Sequence, residues 1–438
     1  MTILLEKATR QHTKEHNHRL VLRTIYDAIT VSRAELARLT GLTRTTISEV
    51  VGELIVQGLV EEVGQGQVGV GRTPTLLSVV DDARHIIAID ITHSEIKGAL
   101  VNLRGAIWRQ AQLPLGVQDS ERALALLFPL IDSLMSVADR PVLGIGISSP
   151  GVIDTGSGTV RRAVNFNWHD LPLRTMVQAR YNLPVYLGND SHMVALAEYM
   201  FGRKEDTHSL VAIKVGRGIG AGIVLNGKLF QTEGFGTGEI GHVVVDKHGP
   251  QCKCGNFGCL EAIANIPAIV RRAQELATRE PASLLHQLAA TPQAITLDTV
   301  VQACVAGDAG VQQIIVEIGQ YLAIAVANLV AILSIQRIVI TGRIAPFGDL
   351  LCRAIQQEVA QRVLPELAQA AEIEILTQGD DTVLLGAAAL LLTNELGLVR
   401  LIKRQEPQAA TSPATMPDVP SLVASNGQPS YKKRRPVA

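Results

Sequence analysis

The 438-residue sequence predicts an α/β protein with a small helix-rich module at its N-terminal end. Three observations carry that expectation. The first eighty residues place two short capped helices around a glycine turn and follow them with two strands. Strand and helix patterns then alternate in two separate runs, one beginning at Ile86 and one at Leu210. Between Gly236 and Asn265 a dense His/Cys cluster interrupts the second run.

Composition limits the classes of function. Hydrophobic residues make up 47% and charged residues 18%, enough to fill sizeable cores and too apolar for global disorder. The formal net charge of -1 gives no whole-chain attraction to nucleic acid or membrane, so either activity would need a local patch. The N-terminus has no apolar run with a cleavage site, and no uninterrupted apolar stretch has transmembrane length. A soluble cytoplasmic protein with no membrane partner is the expectation. Five cysteines, three of them clustered, fit a reducing compartment with one metal site better than a disulfide framework. Cys304 and Cys352 stand alone in apolar surroundings and read as small buried hydrophobes.

In the N-terminal module, apolar positions from His18 to Thr30 recur at helical spacing. Ser32 with Glu35 forms a capping-box pattern that opens a second helix, Arg33 to Leu39. Gly41 supplies a turn, and Thr43 is placed to cap a third helix that runs to Gly58. Strands over 59–63 and 75–80 flank a glycine-rich tip, 64–72. This order is that of a winged helix-turn-helix. It would present Arg44, Thr45, Thr46 and Ser48 to base edges in the major groove and Arg72 to phosphate or the minor groove. A helical protein-interaction module is the alternative, since Lys and Arg outnumber Asp and Glu over 1–80 only by nine to eight. The joint order of cap, glycine turn, hydroxyl-rich helix start and wing favours double-stranded DNA.

Further on, short strands at 86–90, 97–103 and 106–110 precede a helix near 121–137 and an apolar strand at 142–147. A second set follows at 210–215, 222–225, 228–230 and 337–341, with Asn226-Gly227 as a hairpin turn. Two lobes of similar layout imply a ligand cleft between them. In the cluster, His242, Cys252, Cys254 and Cys259 fall within eighteen positions and complete a tetrahedral zinc set. With four protein ligands no coordination position is left for a catalytic water, so the expected zinc is structural. Glu239 and Glu261 flank it.

From about Ile86 to Leu392 the chain resembles the ROK family of bacterial sugar kinases and sugar-responsive repressors. The matching pieces are Ser149-Pro150-Gly151, the NFNW stretch 165–168, Asn189-Asp190 followed by ALAE at 195–198, the glycine loop 215–222, GEIGH at 238–242 and CKCGNFGCLE at 252–261. The resemblance implies a bilobal actin-like, ribonuclease-H-like fold in which Asn165, Asn189, Asp190, Glu239, His242 and Glu261 hold sugar hydroxyls. His242 would serve both zinc and sugar through its two ring nitrogens.

The resemblance leaves two activities to separate. Asp190 matches the general base of the family's ATP-dependent kinases, and it would be catalytic only in that reading. Those kinases cradle phosphate with an Asp-Ile-Gly-Gly-Thr-Lys turn, where this chain has Asp90-Ile91-Thr92-His93-Ser94-Glu95. Arg217 stands where they commonly have Thr, and Thr341-Gly342-Arg343 replaces a Gly-Gly pair. The expected protein is therefore a non-enzymatic repressor of carbohydrate genes that answers to a sugar or sugar phosphate, working as a homodimer or homotetramer on an operator. The expected division is a winged helix-turn-helix at 1–80, a sugar-binding domain at 81–400 with its zinc loop at 242–259, and a disordered tail at 401–438 ending in the basic run 432–435.

Overall fold

A computed structural model describes residues 10–65, 74–116, 120–163, 166–202, 208–232, 235–377, 379 and 381–398. The wing tip from 66 to 73, Asn165 and the tail beyond 398 lie outside the described residues.

The chain opens with α1 (Arg10–Ala28), the short β1 (Val31–Ser32), α2 (Arg33–Thr40), α3 (Arg44–Val56), β2 (Val60–Gln65) and β3 (Thr75–Val79). Local signals set these boundaries. Ser32 Oγ accepts from Glu35 N at 3.2 Å, and Thr43 Oγ1 accepts from Thr46 N at 3.2 Å, each holding an otherwise orphan helix amide. Gly41 closes α2 at φ 71°. Only half of the expected capping box forms, because the Glu35 carboxylate turns to Arg38 instead. The wing carries one strand more than expected: β3 lies between β1 and β2. Val21, Ile25, Leu36, Ile47, Val51 and Leu54 fill the space under the three helices.

Two five-stranded sheets follow. The first comprises β4 (His85–Ile91), β5 (Glu95–Val101), β6 (Ile107–Pro114), β7 (Val142–Ser148) and, later, β11 (Val185–Gly188). Between these strands come α4 (Ser120–Val137), a small sheet of β8 (Val152–Asp154), β9 (Thr159–Ala163) and β10 (Trp168–Leu171), and α5 (Leu173–Tyr181). The spatial order is β6-β5-β4-β7-β11, an antiparallel meander extended on its first strand by two parallel strands. Helix α6 (Asp190–Phe201) leads into the second sheet, which contains β12 (Leu210–Val215), β13 (Ile219–Leu225) and β14 (Lys228–Leu229). Helices α7 (Leu260–Ala264), α8 (Ile266–Arg279), α9 (Leu285–Leu288), α10 (Leu297–Val305) and α11 (Ala309–Leu333) come before β15 (Arg337–Gly342). The chain then forms α12 (Gly348–Ala360), α13 (Pro365–Ala370), β16 (Glu372–Ile375) and α14 (Thr382–Glu395). Its order, β14-β13-β12-β15-β16, repeats the first topology strand for strand. Both lobes are thus copies of one plan, as the two runs of alternating patterns predict.

Helices α6 and α14 pack on each other, α14 covering β4 and β7 of the first sheet and α6 covering β12 and β13 of the second. The close crossing needs small residues. A Cβ on Gly386 would sit 1.9 Å from the Met193 carbonyl oxygen, so only glycine fits there. A buried ion pair between Arg337 at the start of β15 and Glu198 of α6 ties this layer to the second sheet. By length and composition α11 is apolar enough to cross a membrane, although Gln312, Gln313, Glu317, Gln320 and Asn328 interrupt its apolar run. However, 56% of its apolar window is buried, and it packs against α7, α8 and α12 as a core helix. Cys304 is buried in the same core, and Cys352 is half-buried with its thiol 3.4 Å from the Ile373 carbonyl.

The winged helix is held to the first lobe by named contacts. The Tyr26 hydroxyl donates to Leu103 O at 2.8 Å, and Arg104 donates through Nη1 to Tyr26 O at 2.7 Å. The Arg104 guanidinium also lies 3.9 Å from the centre of the Tyr26 ring and pairs through Nε with Asp81 at 3.0 Å. Arg84 adds a hydrogen bond to Gln57 O, at the end of α3.

Candidate functional site

The carboxyl ends of the parallel strands in both sheets converge on one crevice, the usual ligand position in open α/β sheets. From the first sheet come Asp90, near the end of β4, and Asn189-Asp190, immediately after β11. From the second come Lys214 on β12, the glycine turn after it, and Arg343 after β15. Strand β12 is otherwise apolar and buried, so a lysine there stands out. Its Nζ lies 2.6 Å from Asp190 Oδ2. The two side chains keep 27% and 45% of their exposure, which puts the pair on the floor of an open cleft and not in the core.

The charges in this cleft act on one another. Burial pushes Asp90 up to about 6, with the Lys214 charge opposing the rise. Burial also raises Asp190, but the charge and hydrogen bond of Lys214 outweigh it and hold that carboxyl below its ordinary value. For Lys214 burial favours the neutral amine, yet Asp190 and Asp90 together lift it above the ordinary lysine range. Glu239 is raised by burial, and Glu261 and Asp190 push it further in that direction while His242 opposes them.

The sequence-predicted ligand residues divide by how much of each is already occupied. Asn189 caps α6, its Oδ1 accepting from His192 N at 2.9 Å, which leaves its amide N–H groups for other partners. Glu261, in the first turn of α7, accepts from Ile219 N at 3.0 Å and so braces the glycine turn with one oxygen. Glu239 Oε2 stands 3.9 Å from His242 Nε2. Two further residues belong here that motif reasoning missed. One is Lys214, signalled only by its charge within LVAIKV. The other is His192, buried on α6 with Nε2 3.0 Å from Thr237 O, which joins α6 to the start of the His/Cys segment; nothing in the sequence marks it.

At the expected metal set, the ligand atoms of His242, Cys252, Cys254 and Cys259 all lie within 4.8 Å of one another. His242 Nδ1 is 3.7 Å from Cys252 Sγ, and Cys254 Sγ is 3.7 Å from Cys259 Sγ. A tetrahedron with Zn–S bonds of ~2.3 Å has ligand edges of ~3.8 Å, so the donor set fits that ion in both chemistry and spacing. All five cysteines are free thiols. The loop folds tightly enough to do this because Gly258, at φ 69°, passes where a Cβ would meet Asp246 O at 1.5 Å.

The turn after β4 closes on itself. Thr92 Oγ1 accepts from Ser94 N at 3.4 Å and from Glu95 N at 3.2 Å, and it donates to Glu95 O. The Ser94 and Glu95 amides are thus occupied within the turn. Glu95 turns its carboxylate to Lys97 at 3.3 Å. His93 is lowered by partial burial and by the charges of Arg217 and Arg343.

On the winged helix, Arg44, Thr45 and Ser48 are exposed at the amino-terminal end of α3. Thr46 is drawn into the cap, its Oγ1 2.9 Å from Thr43 Oγ1. Arg72 and Asn165 lie outside the described residues.

Comparison with known proteins gives a consistent picture. The ROK family model matches residues 86–394, and a MarR family model matches residues 15–69. A xylose repressor of Caldicellulosiruptor bescii is 34% identical over 388 residues, which is 87% of this chain and 97% of that protein. A glucokinase of Halalkalibacterium halodurans is 32% identical over 317 residues, covering 71% of this chain and 96% of its own length. Among solved structures, a ROK family transcriptional regulator described as a homologue of the Escherichia coli Mlc protein superposes with a TM-score of 0.79 at 27% identity. That match covers 88% of this chain and 98% of the regulator.

Proposed function

The chain belongs to the ROK family, and we propose that it is a sugar-responsive transcriptional repressor of carbohydrate genes, with its effector held in the interlobe cleft. One observation supports this reading above the rest: a winged helix-turn-helix with an exposed, capped recognition helix is fastened to the cleft-bearing lobe through Tyr26 and Arg104. A sugar kinase needs no such module. The working division is a DNA-binding domain at 1–80, a sugar-binding domain at 81–400 and a tail at 401–438.

In this reading Arg44, Thr45 and Ser48 meet base edges, with Thr46 fixing the helix start and Arg72 on the wing touching phosphate. Asn165, the Asn189 amide, Asp190, Glu239, His242 and the remaining oxygen of Glu261 hold a pyranose or its phosphate, alternating acceptors with donors around the ring. His242, Cys252, Cys254 and Cys259 hold a structural zinc, which supplies a fixed wall and no chemistry. His242 then offers its other nitrogen toward Glu239 and the ligand. Ligand binding shifts the population of lobe arrangements. As the first lobe turns, it carries α3 out of register with its partner in a homodimer or homotetramer, and the two half-sites of the operator are no longer matched.

The relation to a glucokinase keeps one further reading open, that of an ATP-dependent kinase with Asp190 as base. Two features argue against it. Thr92 takes up the Ser94 and Glu95 amides in the turn that departs from the kinase pattern, and Lys214 ties up Asp190. The deciding experiment is a gel shift with the protein's own upstream DNA, repeated over a panel of sugars and sugar phosphates. We expect a shifted band released by one of them. No DNA binding together with ATP-dependent phosphorylation of a sugar would reverse the assignment.

A further inference from the structure

We propose that Lys214 is a built-in cation of the cleft: its ammonium, paired with Asp190, supplies the positive charge that a divalent metal would otherwise bring to the Asp90 and Asp190 carboxylates, so the cleft takes its ligand without a divalent ion. The proposal goes beyond the repressor reading and holds whether or not the chain binds DNA.

The geometry makes the argument. Asp90 comes from the first sheet, Asp190 from the first residue of α6 and Lys214 from the central strand of the second sheet. Lys214 and Asp190 are in direct contact, and Asp90 lies at the same strand ends of the first sheet, level with Ser148 of β7 and Gly188 of β11. Two carboxylates converging on one cleft, one of them 7% exposed, repel each other, and they must share a proton, a metal or a fixed positive charge. Hard divalent cations such as Mg2+ are held in this way, by one or two carboxylates with water and phosphate oxygens completing the shell. Here Asp190 Oδ2 already has an ammonium 2.6 Å away. A metal in the same place would have to displace that contact and then sit beside a positive charge. A lysine in a strand whose other side chains are apolar is costly unless its charge is matched, and the Asp190 carboxylate matches it. The arrangement also keeps Asp190 ionised as a hydrogen-bond acceptor while making it a poor base.

The test uses Mn2+ as the probe on full-length, zinc-saturated protein, with free Mn2+ read by electron paramagnetic resonance. Three proteins are compared: wild type, Lys214→Met and Lys214→Arg. We expect no cleft-specific Mn2+ binding by wild type or Lys214→Arg up to millimolar concentration. Lys214→Met should gain roughly tenfold or more in Mn2+ affinity, and adding Asp190→Asn should abolish the gain. A folded Lys214→Met protein that gains no site would overturn the proposal. If Lys214→Met does not fold, the wild-type protein decides alone: a Mn2+ site that Asp190→Asn removes overturns the proposal, and its absence supports it.

Discussion

Asp90 shows at the scale of one residue how the cleft trades stability for charge. Its carboxyl is raised to about 6 from an ordinary 3.8, so the folded protein binds that proton more tightly than the unfolded chain. The contribution to stability is therefore full below the ordinary value and is lost as pH rises through 6, leaving an ionised, poorly solvated carboxylate at neutral pH. Asp90→Asn should then stabilise the protein at pH 8, by on the order of 2–3 kcal/mol at most, because Lys214 loses one of its two counter-charges. The gain should shrink steadily as pH falls from 7 toward 5. Urea denaturation of both proteins across that range checks the prediction, and a pH-independent difference would remove burial of the charge as its cause. At this scale the sequence was only partly legible. Asp190, Glu239 and Glu261 stand out because motifs flank them, and the charges of Asp190 and Glu261 both raise Glu239. What a motif cannot show is which oxygen is already taken, as one oxygen of Glu261 is by Ile219 N. Lys214 escaped because its partners lie 24 and more positions away in sequence and belong to another lobe.

Elements were easier to read when their ends carry local chemistry. Ser32, Gly41 and Thr43 fix the boundaries of α2 and α3 through contacts within three or four residues, and the expected helices lie where those residues put them. The small sheet of β8, β9 and β10 owes its form to tertiary packing, whereas α11 does start on a local cap, Asp308 Oδ1 accepting from Val311 N at 3.0 Å, which an apolar pattern by itself does not bring out. The His/Cys loop lies between these cases: its ligands are visible in sequence, while its tight closure depends on Gly258 passing Asp246. The loop has little regular structure of its own, its 3-10 turn over Ile240–His242 and its isolated bridges being short. A metal-ligand set should therefore be what holds it. Cys254→Ser removes the most exposed thiol of the set. We expect it to lower zinc content measured by elemental analysis and to weaken sugar affinity about tenfold or more, while far-UV circular dichroism stays unchanged. Full sugar affinity in a zinc-free variant would mean that the wall of the pocket stands without the metal.

Across the whole molecule, a sugar bound near Asp190 can affect DNA only through whatever joins the first lobe to the winged helix. Among the described residues its polar contacts are the Tyr26 hydroxyl on Leu103 O, Arg104 on the Tyr26 carbonyl, ring and Asp81, and Arg84 on Gln57 O, with a shared apolar core beneath and Arg19 of α1 packed beside Gly397. Arg104 makes three of these contacts and is only 24% exposed, so it fixes the angle of α1 against the turn after β5 more than it adds to stability. Arg104→Ala should leave sugar affinity and operator affinity, each measured alone, within about threefold of wild type. The factor by which sugar weakens operator binding should fall at least fivefold, a loss of about 1 kcal/mol of coupling. Linkage then requires a second effect: operator DNA must lose its ability to weaken sugar binding by the same factor. Titrating sugar by calorimetry with and without operator, alongside gel shifts with and without sugar, tests both sides of the cycle. If the variant weakens both affinities but keeps their ratio, the junction serves stability alone. The signal would then have to pass through a different contact, such as the packing of α14 on the first sheet.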